Sequence, residues 1–136
     1  LLRQSFESHL LLLLRGCDAT PELPAQLSAA GADIEEVPVY RTEPADVDRE
    51  RLAGLFAEGG IDIVTLTSSS AVRELFDRLG DRAPHILSEV CVACLGHVTA
   101  STFEKLAGRA PDAVARTYTI QGLVDALIEI QKGLDS

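Results

Sequence analysis

The hydrophobic residues of this chain change period repeatedly, and that alternation limits its possible folds more than any other feature. Short continuous apolar runs, typical of strands buried on both faces, take turns with stretches whose apolar residues recur every three or four positions. Leu10–Leu14 is the first run, closed by Arg15-Gly16. Thr20-Pro21 reads as a helix start, with Leu23, Leu27 and Ala30 on one face and Gly31 as the stop. Ile34–Tyr40 is the second strand, followed by the polar link "RTEPADVD" (41–48). Leu52, Leu55 and Phe56 mark a helix that stops at Gly59-Gly60. Strand Ile61–Leu66 leads to a helix with Val72, Leu75, Phe76 and Leu79 at i, i+3, i+4 and i+7. Val90–Leu95 is the fourth strand, and "GHVTA" (96–100) opens a helix carrying Ala100, Phe103 and Leu106. Ala113–Ala115 is the fifth strand. "YTIQGLVDALIEI" (118–130) then predicts an amphipathic helix with Ile120, Leu123, Val124, Leu127 and Ile128 inward.

Strands alternating with helices predict a parallel sheet covered on both faces. Five of each in order predict an α/β chain: a flavodoxin-like, doubly wound, five-stranded parallel sheet. The 136 residues fit one domain and suffice to bury a core without disulfides or metal. With two Tyr, four Phe and no Trp, that core must be built mainly from Leu, Val, Ile and Ala.

A net charge of −9 argues against nucleic acid and against an anionic membrane surface, both of which reward clustered Lys and Arg. No run approaches the roughly 20 apolar residues of a membrane span. Three scattered cysteines, Cys17, Cys91 and Cys94, suit a reducing cytoplasm better than a disulfide framework. The chain opens on Leu1 and lacks Met, which points to a fragment of a longer protein.

In parallel sheets, ligands bind beyond the carboxyl ends of the strands. Three such ends, "RGCDATP" (15–21), "TSSSA" (67–71) and "GHVTA", place helix N-termini there, and free N–H groups with the helix dipole favour an anion. One N-cap needs one hydroxyl, yet Thr67, Ser68, Ser69 and Ser70 supply four; capping alone and ligand binding both remain open. His97 sits at another such turn, as packing or as a ligand contact. "CVAC" (91–94) lies within a strand, so its cysteines face opposite sides. They read as packed core residues rather than a redox or zinc pair, and no metal or cofactor is expected. Tyr40, in "VPVYRTEP" (37–44), either packs at a strand end or faces a cleft as a weak acid.

Five segments together resemble the C-terminal half of the uroporphyrinogen-III synthase family. They are "LLLLRG" (11–16), "LSAAGADIEEVPVYRTEP" (27–44), "IDIVTLTSSSAVRELFDRL" (61–79), "VACLGHVTASTFEKLAG" (92–108) and "YTIQGLVDALIE" (118–129). The resemblance implies a lyase that cyclises hydroxymethylbilane, a linear tetrapyrrole, inverting its last pyrrole ring without cofactor or metal. Water is lost to give an azafulvene, and a spiro-pyrrolenine intermediate precedes ring closure. It also implies that Tyr40 assists departure of the hydroxyl. Thr67, Ser68, Ser69, Ser70, His97, Thr99, Thr119 and Gly122 then correspond to turns holding the substrate's carboxylates. His97 stands where the family commonly has Pro, and "RGCDATP" replaces a glycine-rich turn.

Family enzymes are roughly twice as long, with two flavodoxin-like lobes. By that likeness residues 1–38 complete the other lobe, 39–44 link the lobes, and 45–136 form the remainder of one lobe. The N-terminal half is then the missing partner, and the isolated chain is expected to be inactive. Alternatively, residues 9–132 close as one domain. The competing functional reading is a non-catalytic flavodoxin-like module that binds an anionic ligand or a partner domain. A receiver domain does not fit, since the third strand ends in Thr67-Ser68 rather than an acceptor Asp.

Overall fold

The structure is a computed structural model that describes residue 6, residues 9–46 and residues 48–134. Residues 1–5, 7, 8, 47, 135 and 136, which fall within the expected segments 1–38 and 45–136, lie outside the described residues. The elements run β1 (Leu10–Gly16), α1 (Glu22–Ala29), β2 (Asp33–Tyr40), α2 (Arg49–Ala57), β3 (Ile63–Leu66) and α3 (Ser69–Leu79). A 3-10 turn at Gly80–Arg82 precedes α4 (Ala83–Ser88), β4 (Cys91–Cys94), α5 (His97–Ala107), β5 (Ala113–Val114) and α6 (Ile120–Leu134).

Among the described residues the five strands do not join into the single five-stranded sheet expected from the sequence. β1 and β2 form one parallel sheet, and β3, β4 and β5 form another in that order. The chain divides accordingly into two compact units, Leu1–Ala45 and Asp46–Ser136. Side-chain periodicity identifies a strand but does not name its hydrogen-bonding neighbour. The α/β class, the parallel pairing and, apart from an added short helix α4, the order of elements agree with the expectation.

In the first unit β1 and β2 pair from Leu10↔Asp33 to Gly16↔Tyr40. The Leu10–Leu14 run is not buried on both sides as expected. Leu11 and Leu13 are half-buried, but Leu10, Leu12 and Leu14 are 68%, 57% and 62% exposed. One helix covers only one face of a two-stranded sheet, so the second face stays open. α1 contains no buried residue, and Leu23, expected inward, is exposed. Arg15 ties the unit together, bonding Glu36 at 2.8 Å and the Thr20 carbonyl oxygen.

In the second unit, β4 is the central strand and has helices on both faces. Val92 and Cys94 point into a cluster with Leu66, Val72, Leu79, Leu87 and Phe103, contributed by β3, α3, α4 and α5. Ala93 and Leu95 point the other way, against Ala115 and Leu123. Phe103 is fully buried, its ring edge-on to Phe76 at 6.1 Å between centroids and 5.5 Å beneath the Arg109 guanidinium. Arg109 clamps the amino-terminal ends of the strands, donating to the carbonyl oxygens of Leu87 (2.8 Å) and Val90 (3.1 Å) and to Asp112 (3.1 Å). Asp112 in turn accepts from the Val92 N–H at 2.7 Å.

Two expectations for this unit change. The α6 stripe turned inward is Leu123, Ala126, Leu127 and Ile130; Ile120, Val124 and Ile128 are exposed at 67%, 40% and 46%. α6 is apolar over a wide arc, and the sheet takes only one side of it. Helix α4 has no counterpart in the sequence reading: six residues are too few for a 3.6-residue period to register, although Pro84 in its first turn is a fitting start. Cys94 is buried, and desolvation pushes its thiol pKa up from 9.0 to about 11. Cys91 is half-buried on the opposite side of β4, as alternation along a strand requires.

Candidate functional site

The carboxyl ends of β3, β4 and β5 deliver three helix N-termini, those of α3, α5 and α6. The four consecutive hydroxyls are divided among separate tasks. Ser68 is the α3 N-cap, its Oγ accepting from the Ala71 N–H at 3.2 Å and lying 3.0 Å from Ser70 Oγ. Ser69 bridges to α5: its hydroxyl donates to the Val98 carbonyl oxygen (3.3 Å), and Thr102 Oγ1 donates to Ser69 Oγ (2.9 Å). Thr67 and Ser70 are exposed. Capping therefore accounts for one hydroxyl and interhelix packing for another, and two are left facing solvent.

Helix α5 begins differently. Its N-cap is Gly96, with no side-chain cap, so the N–H groups of His97, Val98 and Thr99 lie outside the helical ladder. His97 and Val98 are exposed, whereas Thr99, expected beside a ligand, is 2% exposed. The first turn of α5 directs position 99 into the core and position 98 outward. At α6, Thr119 Oγ1 accepts from the Gly122 N–H at 3.0 Å and lies 3.2 Å from Thr117 Oγ1. Gly122 is buried and lacks room for a side chain, since a methyl group there would meet Thr117 Oγ1 at 2.5 Å. Its amide is committed to the cap, so its own part is close packing.

Segments 67–71, 96–100 and 117–121 contain no Lys or Arg. Any anion held by these segments would be met by neutral donors and by helix N-termini, each equivalent to roughly half a positive charge; Arg116, just before the third segment, pairs with Glu129 at 3.3 Å. Tyr40 belongs to the first unit, where it ends β2 at 63% exposure with its ring against Gly16. Sequence reasoning missed Tyr118. Its ring lies across Gly96 while 71% of the residue is exposed; the available signal was an aromatic residue immediately before the α6 cap. A hollow of about 760 Å³ opens at the opposite, amino-terminal end of the sheet, with Asp62, Glu89, Arg109 and Asp112 in its wall. Arg109 there is committed to protein acceptors.

The family model described as "Uroporphyrinogen-III synthase HemD" matches residues 1–125. The chain belongs to the uroporphyrinogen-III synthase family. It is 25% identical over 122 residues to a uroporphyrinogen-III synthase from Chlorobaculum parvum, covering 89% of this chain and 48% of the relative. It is 31% identical over 130 residues to a putative uroporphyrinogen-III synthase from Methanothermobacter thermautotrophicus, covering 90% and 50%. The chain thus spans about half the length of the curated relatives it matches. Among solved structures, uroporphyrinogen-III synthetase from Helicobacter pylori superposes with a TM-score of 0.70 at 16% identity, over 92% of this chain and 55% of that one. Uroporphyrinogen III synthase from Thermus thermophilus superposes with a TM-score of 0.57 at 21% identity, over 90% and 50%. These structural likenesses establish a shared fold. Among the described residues no helix is long and apolar enough to cross a membrane.

Proposed function

We propose that this chain is the C-terminal half of a uroporphyrinogen-III synthase, a cytoplasmic lyase of tetrapyrrole biosynthesis that converts hydroxymethylbilane to uroporphyrinogen III and water. The observation that carries this reading is the set of three helix N-termini at the carboxyl ends of β3, β4 and β5, presented with hydroxyls by a member of that family. A linear tetrapyrrole bears many acetate and propionate arms. Oriented N–H groups and hydroxyls hold carboxylates well in a site that excludes water, which lets a protein of net charge −9 bind a polyanion.

In this reading Thr67, Ser70, His97 and the first turns of α3, α5 and α6 receive carboxylates. Ser68, Ser69, Thr99, Thr119 and Gly122 shape those turns. Tyr40 donates a hydrogen bond to the departing hydroxyl, and the fold of the bound substrate brings the reacting pyrrole carbon to the azafulvene carbon. Catalysis is mainly positioning, assisted by a weak acid.

Residues 1–38 complete one flavodoxin-like lobe, 39–44 cross between lobes, and 45–136 pair with an N-terminal strand–helix–strand that finishes the second. Three open surfaces support this division. Leu10, Leu12 and Leu14 are exposed on β1, and Ile120, Val124 and Ile128 on α6. β3 has β4 on one side only: Asp62 and Leu66 accept bonds from Cys91 and Leu95, so Ile63 and Thr65, alternating with them, turn their backbone groups to the free edge.

The test incubates these 136 residues, joined to an N-terminal half, with freshly generated hydroxymethylbilane and resolves the oxidised uroporphyrin isomers. Isomer III above the spontaneous isomer I background supports the reading, and Tyr40→Phe is then expected to slow turnover. Isomer I alone from soluble, folded protein would overturn it. The 136 residues by themselves are expected to leave the isomer ratio at its spontaneous value.

A further inference from the structure

We propose that Tyr118 is a second substrate-positioning residue, whose ring forms the surface on which one pyrrole of the tetrapyrrole rests. The inference builds on the synthase reading and extends it to a residue to which that reading gives no role. Gly96 supplies the starting point. Its φ of −169° and ψ of 172° are extended, a conformation open to any residue, so backbone freedom does not call for glycine. Glycine also deprives α5 of a side-chain N-cap, where Ser, Thr, Asp or Asn would serve better. What its missing Cβ does allow is close approach: a Cβ at position 96 would lie 2.5 Å from Tyr118 Cδ2. The chain therefore forgoes a cap and seats an aromatic ring there.

That seating does not serve to bury the ring, since Tyr118 remains 71% exposed. Val98 at 74% and Ile120 at 67% are also exposed, each in the first turn of a helix whose N–H groups lie at the same end of the sheet. An exposed aromatic face at the end of the sheet where helix N–H groups lie matches an electron-rich ring carrying carboxylate arms. The first unit repeats the device. A Cβ on Gly16, the last residue of β1, would lie 2.8 Å from Cε2 of Tyr40, which is 63% exposed. Tyr40 is the residue the synthase reading sets against the substrate, so the same glycine-seated ring in the second unit has the same kind of partner.

The test uses the enzyme reconstituted with its N-terminal half. Tyr118→Ala is expected to raise KM about tenfold with little change in kcat, the loss of one offset ring contact and its buried area. Tyr118→Phe should restore most of that loss and Tyr118→Leu should not, because the ring rather than the hydroxyl makes the contact. Gly96→Ala, which displaces the ring, should raise KM similarly, and combining it with Tyr118→Ala should add nothing. Parental KM in Tyr118→Ala overturns the proposal and leaves the synthase reading intact. So does a loss of activity that follows a lowered urea midpoint with KM unchanged. If the parental enzyme yields only isomer I, the synthase reading has failed and this inference falls with it.

Discussion

Replacing Gly122 by Ala puts opposing effects into one measurement. Inside a helix the exchange normally stabilises, by about 1 kcal/mol, because glycine loses more backbone freedom on folding. At position 122 the added methyl would collide with the Thr117 carbonyl oxygen and lie 2.5 Å from Thr117 Oγ1. The first of these is backbone and has no rotamer to escape into. Relieving such overpacking costs about 1–3 kcal/mol. Moving the first turn of α6 also stretches the 3.0 Å bond from Gly122 N–H to Thr119 Oγ1, a cap worth about 1 kcal/mol. The sum is a net destabilisation of about 2 kcal/mol. Urea denaturation of the 136-residue chain, followed by circular dichroism at constant m, reads it directly. Gly54→Ala in α2, where no atom lies within 4 Å of the new methyl, is the control and should gain up to about 1 kcal/mol. If part of the Gly122→Ala loss passes through the cap, adding Thr119→Val should cost less than Thr119→Val alone. A Gly122→Ala chain as stable as the parent, beside a stabilised Gly54→Ala, would refute the close-packing account.

Arg109→Met leaves the Leu87 and Val90 carbonyl oxygens without their donor and is expected to lower stability by about 3 kcal/mol in the same assay. Arg109→Lys should recover less than half of this, since an ammonium cannot reproduce the planar fork that reaches both carbonyls and Asp112. Cys94 makes stability depend on pH. Its folded pKa is raised from 9.0 to about 11, so its contribution is fully present below pH 9 and is lost as pH rises through 11, by on the order of 2 kcal/mol. Denaturation midpoints between pH 8 and 11 should fall less in Cys94→Ala than in the parent, relative to each variant's own value at pH 8. An equal fall in both would remove Cys94 as the cause.

The proposed carboxyl-end site is partly legible in the order of residues alone. Ser68 as the α3 cap, and helix N-termini at "TSSSA" and "GHVTA", follow from local backbone geometry, because a cap involves residues only three apart. The role of Ser69 is not legible there. Its partner Thr102 lies 33 residues away, and no local pattern announces a contact of that range. Thr99 turns inward, against expectation, because a helix can start at any rotation relative to its sheet, which packing alone selects. Tyr118 escapes notice because the glycine that seats it is 22 positions earlier, and each residue is ordinary in its own neighbourhood.

The sequence by itself determined the α/β class, the parallel alternation of strand and helix, the inward face of α3, the opposite facing of Cys91 and Cys94 on β4, and membership of the family through ordered motifs. These depend on period, capping and turn chemistry, which act over a few residues. Only the tertiary structure decided that the five strands separate into sheets of two and three, and which side of α6 meets the sheet. It also decided that Arg109 holds the amino-terminal edge and which hydroxyls face solvent. Each of those outcomes turns on which surfaces meet. Backbone hydrogen bonds and apolar area are satisfied equally well by many partners until the whole chain chooses among them.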